Sequence, residues 1–231
     1  MVNMNQAICR TALTLAALLA STAAFAETQA VTPYADIRYR LELVDQDGLA
    51  EQAAASTLRV KAGVKTAEWH GFSAVVEGEA IVVLGETSYN DTVNGKTTYP
   101  VVADPSDILL NQAYLRWRPA AQLELTGGRQ AVNLDNQRWI GSVGWRQNDQ
   151  TFDAISVKNN SIKDTTLYYA YANQVNRIFG TDSPVGTWDD SHIHLINGSY
   201  AGLPFGKITG YSYLLDIQDS LALSSATYGA R

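Results

Sequence analysis

Two pairs of residues in the sequence have types and spacing that could perform chemistry. Glu77 and Glu79 lie two positions apart, and so do His192 and His194. Paired carboxylates can act as acid and base on a glycosidic bond, and two imidazoles can share one metal ion. No third metal ligand and no activated serine accompany them. We therefore predict no catalytic residue, no metal site and no cofactor, and we assign the two glutamates to charge balance with arginine.

Basic residues recur with the same two-residue spacing. In segment 34–44, Arg38 and Arg40 alternate with Ile37, Tyr39 and Leu41. Successive side chains of a strand point to opposite faces, so this alternation predicts a strand with one charged and one apolar face. The bases placed on such polar faces are Arg38, Arg40, Arg59, Lys61, Lys65, Arg116 and Arg118.

Short alternating segments fill the chain after its first residues, and none shows a clear helical period. They predict an all-β protein with about nine to ten strands. The predicted strands are roughly 34–44, 56–67, 71–83, 108–118, 122–131, 151–158, 163–173, 191–201 and 206–217, with the beginning of another in 225–231.

The connections between these segments alternate between long and short. The long ones include 84–107, 132–150 and 174–190, and the short ones include 119–121 and 202–205. Short periplasmic turns and long extracellular loops are typical of a transmembrane, antiparallel, up-and-down β-barrel. A soluble β-sandwich gives the same alternation of side chains, so it stays as an alternative fold. Candidate aromatic residues for the membrane interfaces are Tyr34, Trp69, Trp117, Tyr211 and Tyr213.

The N-terminal residues have the pattern of a secretory signal peptide. Arg10 is the only charged residue of the first ten, residues 11–24 are apolar or small, and Ala24 and Ala26 flank a cleavage site. This pattern predicts a signal peptide over 1–26 and a barrel domain over 27–231 that begins at Glu27. The only cysteine, Cys9, lies in the predicted signal peptide, so disulfides and thiolate metal sites are excluded from the mature chain.

The charge pattern predicts where the basic residues lie in a barrel. The net charge of −6 argues against nucleic acid as a partner. An arginine or lysine facing lipid near the midplane costs about 2–4 kcal/mol, so we expect the strand bases to face the lumen together with Glu77 and Glu79. Most other acids lie in the predicted loops, which indicates a basic interior. Mutual ion pairing that only fills the barrel is the alternative.

A series of short motifs resembles the alginate-export family of outer-membrane porins. The series consists of Gln112–Trp117, Gly128-Arg129-Gln130, Arg138-Trp139-Ile140-Gly141, Gly144-Trp145-Arg146-Gln147 and Phe152-Asp153-Ala154. The resemblance implies a monomeric barrel in the bacterial outer membrane, with lipid around it. It also implies passive passage of anionic solutes such as acidic polysaccharide or sugar acids. A barrel of that family requires more strands than the sequence contains, so we expect these residues to be its N-terminal part.

The face of the motif residue Arg129 stays open at this stage. Its position in the alternation places it with Leu123 and Leu125, on the lipid side. A bulge at Gly127 and Gly128 could direct it elsewhere, or it could lie at the rim with its charge in water.

Two other functions compete with a pore for anions. The first is a soluble secreted β-sandwich that binds carbohydrate. The second is an outer-membrane barrel enzyme of the phospholipase type, which would need an activated serine at the rim.

Overall fold

The computed structural model describes residues 30–218 and 222–231, so the predicted signal peptide and Glu27 lie outside the described residues. One antiparallel sheet of eleven strands accounts for the fold. No helix in the described ranges is long and apolar enough to cross a membrane. The strands are β1 (Val31–Val44), β2 (Ala53–Thr66), β3 (Phe72–Ser88), β4 (Asp107–Ala120), β5 (Leu123–Gln130), β6 (Thr151–Asn159), β7 (Thr165–Asn176), β8 (Thr187–Trp188), β9 (Ser191–Leu203), β10 (Gly206–Ile217) and β11 (Leu223–Ala230).

The strands follow one another across the sheet in the order of the sequence. Each long strand pairs with its neighbours along the chain, and β8 pairs only with β7. Among the described strands, β1 and β11 each have a neighbour on one side only, so the sheet is not closed. This up-and-down order confirms the predicted fold class. We call the end of the sheet with connections 89–106 and 131–150 the loop end, and the opposite end the turn end.

Two details of the strands differ from the prediction. Strand β3 continues to Ser88, because Thr87 and Ser88 pair with Ala55 and Ala54 beyond a bulge, so the predicted start of the loop at 84 is wrong. Strand β8 has only two residues and pairs with Val175 and Asn176 at the end of β7. A segment of that length has no periodicity that a sequence could reveal.

The two faces of the sheet have the reverse of the chemistry that water-soluble sheets show. On β1, Ile37, Leu41 and Leu43 are 64%, 57% and 72% exposed, whereas Arg59 and Glu79 on the opposite face of the sheet are 6% and 2% exposed. We call the charged face the inner face and the apolar face the outer face. A β-sandwich in water would bury its apolar face, so the alternative of a soluble sandwich is wrong.

Loop 131–150 folds over the inner face and forms the main core with it. Val132 and Ile140 of this loop pack in one buried apolar cluster with Phe152, Leu195 and Tyr213 of the strands. The core therefore lies between the loop and the inner face of β6 to β10, near the loop end. The outer face takes no part in it.

The aromatic residues divide between the two faces. Phe72 and Trp117 stack on the outer face near the turn end, with ring centroids 5.6 Å apart, and Trp69 is exposed beside them. This position fits an interfacial girdle. The same expectation is wrong for Tyr213, which is buried on the inner face and accepts a hydrogen bond from Asn197 at 3.0 Å. It is also wrong for the other two tyrosines: Tyr211 stacks on Tyr213, and Tyr34 lies on the inner face of β1.

Gly128 has a backbone and a neighbourhood that exclude a side chain. Its φ is +121°, and a methyl group there would lie 2.3 Å from the carbonyl oxygen of Ala113 and 2.9 Å from Cα of Tyr114. A residue forced into such a conformation costs on the order of 1–3 kcal/mol before any clash is counted. We therefore expect Gly128→Ala to separate β4 from β5 and to lower the temperature at which the folded protein loses its compact mobility on a gel.

Gly127→Ala is the matched control for this prediction. Nothing lies within 4 Å of the position of its methyl group, and Gly127 is not among the glycines with positive φ. The Gly127 variant should keep the unfolding temperature of the wild type. Equal unfolding temperatures for the two variants would contradict the prediction.

Candidate pore lining

The bases of β1 and β2 lie together on the inner face and are paired with acids. Arg59 forms an ion pair with Asp36 of the neighbouring strand. Nζ of Lys61 lies 3.2 Å from a carboxylate oxygen of Glu79 and also contacts Asp149 of loop 131–150. The ladders place Lys61 directly across from Asp36 on one side and Glu79 on the other, whereas Arg59 faces Arg38 and reaches Asp36 diagonally.

The arginines of β1 fasten loop 131–150 to the sheet. Arg38 donates from Nε to Oε1 of Gln147 at 3.0 Å, from Nη1 to the carbonyl oxygen of Gly144 at 2.9 Å, and from Nη2 to that of Arg146. Arg40 donates to the carbonyl oxygen of Trp145 at 2.9 Å. A planar guanidinium can hold several acceptors at once, so two arginines fix four consecutive loop residues.

A second loop supports this attachment from the side. Asp104, in the connection between β3 and β4, is fully buried; it accepts a hydrogen bond from Thr57 Oγ1 at 3.3 Å and another from the backbone N–H of Gln147 at 3.4 Å. The hydroxyl of Tyr89 donates to the carbonyl oxygen of Asp104 at 3.0 Å. Burial raises the pKa of Tyr89, so this hydroxyl stays a neutral donor and the two loops form one polar network.

The charges around the β1–β2 hairpin are balanced. The hairpin brings its four bases together and surrounds them with carboxylates. The bases of this region, including the loop base, are Arg38, Arg40, Arg59, Lys61 and Arg146. The carboxylates in contact with them or beside them are Asp36, Glu42, Glu77, Glu79, Asp104 and Asp149. This part of the inner face is therefore not basic.

A polar trough lies on the inner face of β4 to β10, under loop 131–150. Its volume is about 430 Å³, and its walls include Arg116, Lys158 and Lys207 with the two acids Glu124 and Asp135. Hydroxyl and amide groups make up much of the remaining lining. Pockets that hold small molecules have about this size, so the trough can receive a small polar solute.

The two acids of the trough are already paired. Glu124 lies 2.7 Å from Nη2 of Arg118 and 3.5 Å from Nε of Arg116, and Asp135 lies 3.0 Å from Nη2 of Arg231. The trough therefore holds more positive charge than its own acids neutralise.

The sequence prediction did not include Lys158 and Lys207, although both lie inside predicted strands, 151–158 and 206–217. Lys158 follows Ser156 and Ala154 on the inner face of β6, and Lys207 is the second residue of β10. An alternation count over the full observed strands would have found both. Lys65, which the prediction did include, lies near the turn end with its Nζ 4.7 Å from the ring centre of Tyr34.

The motif residues of β5 and β6 connect strands. Arg129 lies on the outer face, directly across from Asp153, and binds both carboxylate oxygens at 2.7 and 2.9 Å. The bidentate pair explains how an arginine is accommodated there near the loop end. Gln130 is buried; it donates to the carbonyl oxygen of Ala154 at 3.0 Å and accepts from Oγ of Ser156 at 3.0 Å.

The motif residues of loop 131–150 are held by contacts between cations and aromatic rings. Arg138 lies 5.5 Å from the ring centre of Trp139. The ring centre of Trp145 lies 5.1 Å from the guanidinium of Arg40 and 4.3 Å from that of Arg146. Such contacts stabilise by about 0.5–1 kcal/mol at exposed sites. The motifs therefore shape the loop and its attachment.

The glutamate pair and the histidine pair that could have performed chemistry both have other side chains as partners. The Glu79 side chain is fully buried beside Lys61, and Glu77 accepts a hydrogen bond from Nδ2 of Asn111 at 2.7 Å. His192 and His194 lie on the outer face, where their Nδ1 atoms are 2.9 and 3.0 Å from tyrosine hydroxyls. Within the part of the chain that the structure describes, no three His, Cys, Asp or Glu side chains come together as metal ligands.

An open antiparallel sheet with an apolar outer face, a charged inner face and a loop folded across it has the fold of outer-membrane β-barrel porins. Residues 31–227 match the alginate export family, and the chain belongs to that family. This confirms the resemblance found in the motifs and locates the protein in the bacterial outer membrane. Comparison with curated protein sequences finds no match.

Solved structures show the same fold. The chain is 16% identical to Pseudomonas aeruginosa OccD3 (OpdP), with a TM-score of 0.52, and the match covers 85% of this chain and 42% of that one. It is also 16% identical to Pseudomonas aeruginosa OccK2 (OpdF), solved in complex with glucuronate, with a TM-score of 0.50 and coverage of 83% and 46%. The chain therefore spans less than half the length of these two proteins.

Proposed function

We propose that the chain forms part of the wall of an outer-membrane porin that passes anionic solutes, acidic sugars among them. This proposal rests on the two faces of the sheet, where the apolar side chains are exposed and the charged ones are covered. Apolar side chains such as Leu43 and Ile155 are exposed on the outer face, while charged and polar groups line the inner face. Lipid favours the first surface and water the second. Membership of the alginate export family supports the same role.

The preference for anions rests on the trough. Its acids are paired with Arg116, Arg118 and Arg231, while Lys158 and Lys207 add further positive charge. Low-dielectric walls focus such a field and raise the local concentration of anions. A related fold that binds glucuronate supports an acidic sugar as one solute.

We further propose that residues 27–231 are one part of a larger monomeric barrel. The single neighbours of β1 and β11 support this, since an unpaired strand edge is not tolerated in lipid. The role we propose is passage and not catalysis. The paired glutamates of β3 support this, because their side chains are occupied by Lys61 and Asn111.

Ion selectivity in a planar bilayer tests the proposal. With the full-length protein between two potassium chloride solutions of different concentration, we expect the reversal potential to have the sign of a chloride-preferring pore. The preference should weaken at high salt, because the Debye length shortens from about 10 Å at 0.1 M to about 3 Å at 1 M. Absence of channels, or a potassium preference at low salt, would contradict the proposal.

A further inference from the structure

The positive charges of the inner face have two different surroundings. Near β1 and β2, the guanidinium of Arg38 is bound to three acceptors of loop 131–150, and Lys61 is bound to two carboxylates. Around the trough, no carboxylate oxygen of the described residues lies within 4.0 Å of Nζ of Lys158 or Lys207. Only the second group has cations free to meet a solute.

We propose that Arg116, Lys158 and Lys207 form a binding subsite for the carboxylate of a small sugar acid, in the trough under loop 131–150. The inference rests on the proposed function and assigns its solute site. It also assigns the arginines of β1 a different role, which is to hold the loop. The bases of the inner face thus divide into a set that holds the loop and a set that binds the solute.

The strand register explains why Lys158 is available. Lys158 lies directly across from Glu124 in the β5–β6 ladder. The carboxylate of Glu124, however, is turned to Arg118, at 2.7 Å, and to Arg116, at 3.5 Å. Two guanidinium groups compete for one carboxylate, so Lys158 is left without an acid. Nε of Arg116 is buried 3.5 Å from Glu124, so Arg116 adds positive charge to the wall, while the exposed side chains of Lys158 and Lys207 can reach a solute carboxylate.

The other walls of the trough suit a polyhydroxylated solute. Thr166 and Ser199 face each other across β7 and β9, and Asn197 lies beside Tyr168 in the same ladder. Hydroxyl and amide groups both donate and accept hydrogen bonds, as sugar hydroxyls require. A volume of about 430 Å³ admits one or two sugar rings and leaves room for water.

Block of the chloride current by sodium glucuronate tests the subsite in the full-length protein. In the wild type we expect glucuronate, but not uncharged glucose, to reduce the current in a saturable way. Lys158→Gln with Lys207→Gln should raise the half-blocking concentration by roughly tenfold or more, because two charge-assisted contacts are lost. Lys163→Gln is the matched control. It removes one positive charge from the exposed turn between β6 and β7, so it is compared with each of the two single lysine variants, and it should leave the block unchanged.

The outcomes separate the subsite from the function on which it rests. A wild-type pore without anion preference would overturn the proposed function and the subsite with it. An anion-selective wild type that glucuronate blocks equally in the double variant would overturn the subsite alone. Equal weakening by Lys163→Gln would also overturn it, since the effect would then be one of net charge. Weakening confined to the double variant supports it.

Discussion

Replacing Ile155 with arginine should prevent most of the protein from assembling in the membrane. Ile155 lies in the middle of β6 on the outer face and is 68% exposed there. An arginine facing lipid near the midplane costs about 2–4 kcal/mol, which is a factor of about 30 to 900 in the folded population. The fraction of heat-modifiable protein after refolding into lipid vesicles measures this loss.

The same substitution on the inner face is the control. Ser199 of β9 lines the trough, where an added guanidinium stays in water. Ser199→Arg should therefore assemble as the wild type does. If both variants assemble equally well, the outer face does not meet lipid and the assignment of the two faces is wrong.

Releasing loop 131–150 from β1 should enlarge the pore. Arg38 and Arg40 donate four hydrogen bonds to the loop, and the acceptors belong to residues 144–147. A hydrogen bond from a charged group contributes about 1.5–3 kcal/mol, so each one lost favours the released loop by about tenfold to a hundredfold. We expect Arg38→Gln with Arg40→Gln to raise the single-channel conductance and the current noise.

Selectivity distinguishes this role from a direct role in binding. The β1 arginines belong to a region whose acids balance its bases, so the double glutamine variant leaves carboxylates unpaired and should lose part of its preference for chloride. Arg38→Lys with Arg40→Lys keeps both charges but lacks the planar fork that holds the loop, so it should raise the conductance and keep the preference for chloride. Lys65→Gln is the control, because Lys65 contacts the ring of Tyr34 and not the loop. A double variant with wild-type conductance and a lost chloride preference would contradict the fastening role.

The strands and the two faces of the sheet could be predicted from the sequence, because successive side chains of a strand point to opposite faces. Arg38 and Arg40 alternate with Ile37 and Leu41, and the structure places the first pair on the inner face and the second on the outer face. The same alternation is consistent with the outer face that Arg129 occupies, although the possible bulge at Gly127 and Gly128 left its face open in the sequence. Local periodicity needs no knowledge of distant contacts, which is why these features were predictable.

The contacts that cross the sheet were not predictable in this way. Arg38 and Gln147 are 109 residues apart, and Asp149 reaches Lys61 from a loop without any periodic pattern. Whether a base is neutralised depends on those distant partners. The expected basic interior therefore did not allow for the carboxylates around β1 and β2, and the availability of Lys158 depends on the direction in which the Glu124 side chain turns.

Chemical labelling of two adjacent residues of β7 tests most directly that the inner face lines a water-filled pore. Residues 27–231 contain no cysteine, so the introduced thiol is the only target in this part of the chain, and the wild-type pore treated with the same reagent is the blank. Thr166 lines the trough on the inner face, whereas Leu167 is exposed on the outer face. A charged, membrane-impermeant thiol reagent should reduce the single-channel current of Thr166→Cys in one step and leave that of Leu167→Cys unchanged. Current block in Leu167→Cys with none in Thr166→Cys would contradict the account.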